Sequence, residues 1–199
     1  MINFINISDE KPYEYFLNYY EKALNSGQSA VQAIAISSFN SEKEEVNARF
    51  VNLKYIVNNE WIFFSNYNSQ KSEDFKSCSQ ISGIFYWDSI DIQIRLKAKV
   101  FKTSSIFSDK HFASRSPEKN ALAIASNQSK PIESFEDIKK IYKETLNNKK
   151  KIQKRPDYWG GYSFKPYFFE FWSGNKNRLN KRIVFSRTKD EWGTFLLQP

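Results

Sequence analysis

Asp91-Ile92-Gln93-Ile94-Arg95-Leu96-Lys97 alternates polar and apolar residues without a break. Successive side chains of a strand point to opposite faces, so Ile92, Ile94 and Leu96 share one face and Gln93, Arg95 and Lys97 the other. The strand signal runs on to residue 103. Residues 81–87 form a partner, joined to it around Asp88-Ser89. Working outward, residues 31–36, 48–57 and 61–66 read as strands on the N-terminal side, with a hairpin turn at Asn58-Asn59. Asn suits that turn because it tolerates positive φ. On the C-terminal side residues 162–172, 182–187 and 192–197 read as strands, with Thr188-Lys189-Asp190-Glu191 as a hairpin turn.

Helices fill the rest. Residues 12–26 are amphipathic, with Pro12 in the first turn, Phe16, Tyr20 and Leu24 at four-residue spacing, and Gly27 placed to end the helix. Residues 69–77, 108–114, 118–125 and 134–146 are the other helical segments. Ser134 followed by Glu136 and Asp137 has the character of an N-terminus. No repeat and no Gly-, Ser- or Pro-rich linker divides the chain, so residues 1–199 are expected to form a single domain. Strands at both ends with helices before and between them predict an α+β fold. Its sheet is expected to be mostly antiparallel and closed or nearly closed, barrel-like, with peripheral helices.

Composition removes several function classes. One cysteine, Cys78, cannot make an internal disulfide, and together with one histidine, His111, it cannot build the usual His/Cys zinc cages. No metal site is expected. A Ser-His-Asp triad would need His111 as its base, and no G-x-S-x-G elbow is present. No apolar run approaches the roughly 20 residues of a membrane helix. Met1-Ile2-Asn3-Phe4 lacks the charged start of a signal peptide, so a cytoplasmic, reducing setting is expected. The charge balance is informative: 30 Lys plus Arg against 22 Asp plus Glu give +8. Two anionic partners follow, nucleic acid or phosphorylated small molecules. The basic run from Lys149 to Arg155 motivates the first, although such runs are usually solvated helix ends and no RNP, KH or zinc-finger pattern accompanies it.

Four stretches hold candidate site residues. In Ala48-Arg49-Phe50-Val51-Asn52-Leu53-Lys54, Arg49 and Lys54 are an odd number of positions apart, so a regular strand would put them on opposite faces. They serve one site only if one sits at a strand end or bulge; otherwise both are solvated. Gln93 shares its face with Arg95 and Lys97, which read as a plain solvent face. In Arg178-Leu179-Asn180-Lys181-Arg182, an extended backbone would project Arg178, Asn180 and Arg182 to one side, where they could converge on an anion or heteroaromatic ring; an exposed charged edge explains the spacing equally well. Trp172, at a strand end before Gly174, reads as core more than as a ligand platform, and Asn127-Gln128-Ser129-Lys130-Pro131 reads as a loop.

In order and spacing these stretches resemble the pyridoxamine 5′-phosphate oxidase family over nearly the whole chain, least clearly before residue 30. The family's A-R-x-V-x-L-K stretch is matched by Ala48 to Lys54, its flavin-contact positions by Phe64-Ser65 and Gln70-Lys71, and its C-terminal signature by Glu170-Phe171-Trp172-Ser173-Gly174 and Arg178 to Arg182. Gln93, Gln128-Ser129 and Tyr158-Trp159-Gly160-Gly161 fall between, in the family's order. The resemblance implies a split β-barrel homodimer with FMN at the subunit interface, and no nucleic-acid or membrane partner. It implies FMN contacts from Arg49, Phe64, Ser65, Gln70, Lys71, Gln93, Gln128, Ser129, Trp172 and Arg182. Contacts to a phosphorylated B6 vitamer would come from Lys54, His111, Arg115, Lys119, Arg178 and Asn180, with Arg178 and Asn180 beside the reacting carbon. The implied reaction oxidises pyridoxamine 5′-phosphate or pyridoxine 5′-phosphate to pyridoxal 5′-phosphate, with O2 as acceptor and H2O2 as co-product. The flavin carries the hard chemistry, so the protein needs no strong acid–base constellation.

Four positions depart from the family pattern. Gln70 stands where an Arg is usual, His111 where a Tyr is usual, Lys119 where a Ser is usual and Asn180 where a His is usual. The first removes a charge-assisted contact to the cofactor phosphate, and the other three lie on the substrate side. They motivate a second expectation, a related FMN-binding oxidoreductase acting on another substrate. A basic nucleic-acid-binding module is the third.

Overall fold

The computed structural model describes residues 1–199. Its elements run β1 (Asn3–Ile5), α1 (Lys11–Asn25), β2 (Ala33–Asn40), β3 (Glu45–Asn52), β4 (Tyr55–Val57), β5 (Glu60–Asn66), α2 (Gln70–Ser77), β6 (Gln80–Trp87) and β7 (Ile92–Lys102). Then follow α3 (Ser105–Ser114), α4 (Pro117–Ala125), α5 (Phe135–Asn147), β8 (Trp159–Ser173), β9 (Lys181–Thr188) and β10 (Glu191–Leu197). All ten strands join one sheet. The order β1-β4-β5-β8-β7-β6-β2-β3 curls until β3 comes back beside β5 without pairing to it. Only β1 and β4 run parallel; every other pairing is antiparallel. This is the expected α+β, split-barrel architecture with peripheral helices.

β8 organises the barrel. One edge of it pairs with β7 along most of its length, while its other edge is shared: residues 159–164 pair with β5 and 168–173 with β9. Alternation drives the same arrangement in β7, where Ile92, Ile94, Leu96, Ala98 and Val100 are buried and Lys97, Lys99 and Phe101 are exposed. Helix α1 lays Tyr13, Phe16, Tyr20 and Ala23 on the barrel. The Phe16 ring lies 4.4 Å from that of Trp61, 5.5 Å from Phe85 and 5.7 Å from Trp87. Burial of a side chain of this size contributes about 2–3 kcal/mol. Gly27, at φ +73°, follows the last turn of α1 as the spacing predicts.

Two readings are corrected, and the condition placed on residues 178–182 is not met. Residues 48–57 are not one strand: β3 ends at Asn52 and β4 begins at Tyr55. Long-range bonds break the run there, because Leu53 N donates to Gln32 O and Lys54 N to Ile62 O. Residues 178–180 are not extended. Asn175 Oδ1 accepts from Asn177 N, Arg178 N donates to Asn175 O, and Arg178 takes φ +60°, so β9 starts only at Lys181. The stripe on α1 is 13-16-20-23 rather than 16-20-24, with Leu24 only half buried. No helix is long and apolar enough to cross a membrane.

Candidate functional site

A cavity of about 780 Å³ opens where β3, β5, α2, α3 and α4 meet. Arg49, Lys54, Phe64, Ser65, Gln70, Lys71, His111, Arg115, Lys119, Gln128 and Ser129 all line it. The break after β3 resolves the parity of Arg49 and Lys54: Lys54 lies beyond the strand end, so both reach one cavity. Gln93, Trp172, Arg178, Asn180 and Arg182 do not line it.

The cavity is cationic and poorly compensated. Five lining residues are basic, while no carboxylate is among them. Asp74, fully buried on α2, lies behind the wall. Its carboxylate accepts from Ser38 Oγ at 2.6 Å and Asn40 Nδ2 at 3.2 Å, and it holds Arg49 Nη2 at 3.3 Å. Arg49 Nη1 also donates to Ser38 Oγ at 2.6 Å, which fixes the guanidinium by two routes. Lys71, buried in the first turn of α2, donates to Ser65 Oγ at 3.0 Å and Ser69 Oγ at 3.1 Å. Burial holds its ammonium down at about 8, Arg49 pushes the same way, and Asp74 opposes both.

The opposite wall comes from α3 and the start of β8. Arg115, just past α3, stacks on Trp159 with its guanidinium carbon 4.3 Å from the ring centroid and donates through Nη2 to Lys119 O at 2.9 Å. Burial lowers Arg115 to about 10. Lys54 is lowered as well, first by burial and then by Lys119 and Arg115. Arg115 Nη1 and Asn47 Nδ2 are buried donors with no hydrogen-bond partner. Desolvated cations and unpaired donors around one cavity are what an anionic ligand with many acceptor oxygens repairs. The donor set therefore fits phosphate esters such as FMN.

Trp159 belongs to the Tyr158-Trp159-Gly160-Gly161 stretch, for which the sequence assigns no contact. Its place is fixed by Gly160 and Gly161, where a Cβ would collide with the Tyr67 hydroxyl and with Thr103 Oγ1. Arg155 pins the same corner, bonding Asp109 Oδ1 and Trp159 O, each at 2.6 Å. The basic run 149–155 thus loses its last residue to structure. Asn47 and Tyr55 also escaped the sequence reading. Asn47 carries no motif, and Tyr55 looked like one more strand residue.

The remaining candidates form a row at the far ends of β7, β8 and β9. Gln93 faces Trp172, and Trp172 faces Arg182. Arg182 is already paired, through Nε and Nη2, with Glu170 Oε1 at 2.8 Å. Arg178 is exposed on the loop, and Asn180 Oδ1 accepts from Asn175 N at 3.0 Å.

A split barrel with a cationic, phosphate-compatible cavity defines the class of protein. Comparison with known proteins sharpens it. Residues 159–199 match the family model described as "Pyridoxine 5′-phosphate oxidase C-terminal dimerisation region". A pyridoxine/pyridoxamine 5′-phosphate oxidase of Rubrobacter xylanophilus is 31% identical over 193 residues, covering 96% of this chain and 88% of that one. One from Cytophaga hutchinsonii is 34% identical over 191 residues, covering 94% and 88%. The chain belongs to the pyridoxine/pyridoxamine 5′-phosphate oxidase family, a family of oxidoreductases. Among solved structures, PhzG from Burkholderia lata, in complex with tetrahydrophenazine-1-carboxylic acid, superposes with a TM-score of 0.87 at 24% identity, covering 94% of this chain and 92% of that one. A pyridoxamine 5′-phosphate oxidase-related, FMN-binding protein from Nostoc punctiforme superposes with a TM-score of 0.77 at 11% identity, covering 96% and 99%. These two share the fold.

Proposed function

We propose that the chain binds FMN and oxidises pyridoxamine 5′-phosphate or pyridoxine 5′-phosphate to pyridoxal 5′-phosphate, with O2 as acceptor and H2O2 as co-product. The observation that carries this is the cavity itself, where basic side chains converge with no lining carboxylate to neutralise them. When bound, FMN supplies a hydride acceptor that no side chain of this protein can replace. Lys71 and Arg49, held by Ser65, Ser69 and Asp74, bind the cofactor phosphate, and Ser65, Gln70, Gln128 and Ser129 offer neutral donors around it. Phe64 also lines the cavity, with its ring stacked on His111 and Trp159. Lys54, Arg115, Lys119 and His111 take the substrate phosphate and so orient its ring.

Gln93, Trp172, Arg178, Asn180 and Arg182 are assigned to the cavity of a second copy, in a homodimer. Exposed apolar side chains support such an interface: Val46 on β3 and Phe50 on the same strand at the cavity rim, and Leu179 and Leu196 beside the second group. Arg178 and Asn180 then approach the reacting carbon from the partner subunit. A second reading keeps FMN and changes the substrate. It is favoured by Asn180, which cannot titrate near neutral pH and already spends its carbonyl on Asn175 N. The test is turnover: purified protein supplied with FMN should form pyridoxal 5′-phosphate and release peroxide from at least one of the two vitamin phosphates. FMN bound without turnover of either, but with turnover of another reductant or acceptor, favours the second reading.

A further inference from the structure

We propose that Tyr55 is a positioning residue that fixes His111 as a neutral imidazole presenting Nε2–H to an anion in the cavity. The Tyr55 hydroxyl lies 2.9 Å from His111 Nδ1. The imidazole lies flat on Phe64, with centroids 3.7 Å apart and planes at 16°, while Tyr55 meets it edge-on at 85°. This clamp leaves one ring nitrogen free. Nε2 makes no hydrogen bond and is not sealed from solvent, and its ring lines the cavity.

Two neutral arrangements satisfy a tyrosine–imidazole contact. Either the Tyr55 hydroxyl donates to Nδ1 and Nε2 carries the hydrogen, or Nδ1–H donates to Tyr55 Oη and Nε2 is bare. A bare Nε2 would turn a lone pair toward phosphate oxygens, so an anion-binding cavity selects the first. The imidazolium is disfavoured by everything packed against the ring. Arg115 at the end of α3, Lys54 after β3 and Lys119 on α4 supply positive charge, and β4, β5 and β8 supply Tyr55, Phe64 and Trp159, none of them acidic. Burial first, then those three cations, hold His111 down at about 4. His111 therefore adds a directed donor to the phosphate subsite without adding a fourth cation there.

The inference deepens the proposed function, since it assigns a role within the phosphate subsite, but its test is independent of turnover. His111 is the single histidine of the chain, so its two ring nitrogens are the only imidazole signals in a nitrogen-15 spectrum of the full-length protein. The expected spectrum shows the neutral Nε2–H form from pH 5.5 to 8, with no titration in that range. Adding inorganic phosphate should shift Nε2 more than Nδ1. Tyr55→Phe keeps the ring that packs 5.3 Å from Phe107 and removes only the hydroxyl. It should mix the two tautomers and raise the half-saturating phosphate concentration about fivefold, the loss of one neutral hydrogen bond. An Nδ1–H form, a titration near the ordinary imidazole value, no response to phosphate, or an unchanged spectrum in Tyr55→Phe would each overturn the assignment. None of these outcomes depends on whether the protein binds FMN or turns over a vitamin phosphate.

Discussion

The cavity and the β7-β8-β9 row both hold arginines, but they treat charge in opposite ways. In the row, Glu170 sits between Arg182 at 2.8 Å and Arg95 at 3.5 Å, so both of these arginines share a carboxylate partner within the chain. In the cavity, Asp74 serves Arg49, while Lys54, Lys71, Arg115 and Lys119 find no carboxylate partner within salt-bridge distance. Burial accordingly lowers Lys71, Lys54 and Arg115. A fold that leaves cations desolvated and unpaired gives up stability, and a bound anion restores it. Arg95 and Arg182 thus have their carboxylate partner within the fold, whereas four of the cavity's five cations have none.

Substitutions in the two regions should move different quantities. The largest effect is expected for Lys71→Met. It removes a charge-assisted phosphate contact of about 1.5–3 kcal/mol, so FMN affinity should fall roughly 10- to 100-fold in a fluorescence titration, while the ligand-free protein becomes no less stable. Glu170→Gln should do the reverse. It strands two guanidiniums, and urea unfolding should show a loss of about 1–3 kcal/mol. Equal stability losses in both variants would erase the distinction between the regions.

A smaller effect sharpens the comparison through pH. Lys71 sits at about 8 without ligand, and a phosphate dianion beside it favours its charged form. Binding above that pH then takes up a proton, so FMN affinity should weaken as pH rises past about 8, by up to about tenfold per unit. Calorimetry in two buffers of different ionisation heat reads the proton uptake directly. The smallest effect is expected for Asn180→His. Asn180 is half-buried and accepts one bond from Asn175 N, so stability should fall by no more than about 1 kcal/mol, and FMN affinity should not change. Turnover of the vitamin phosphates is the quantity it should alter.

Local pattern made most of the barrel readable, because strict alternation in 92–97 and the aromatic stripe of α1 report directly which face is buried. What escaped was set by distant bonds. β1 is three residues long and exists because β4 lies beside it, and the break at Leu53 and Lys54 exists because Gln32 and Ile62 accept their amides. The turn before β9 gave no local signal, because Arg178 carries a positive φ on a residue that is not glycine. For the site, residue identity and order were legible through the family resemblance, and the strand-end condition on Lys54 was stated by parity alone. The supports were not. Asp74 lies in a short polar helix, and nothing local marks its carboxylate as fully buried behind Arg49.

The central claim is that the cationic cavity is a cofactor site whose missing counter-charge is a phosphate ester. Titrating the purified, flavin-free protein into FMN and following flavin fluorescence tests it directly. Saturation at one FMN per chain, weakened by added inorganic phosphate and by Lys71→Met but not by Asn180→His, is the predicted result. A chain that leaves FMN fluorescence unchanged at every ratio would contradict the account.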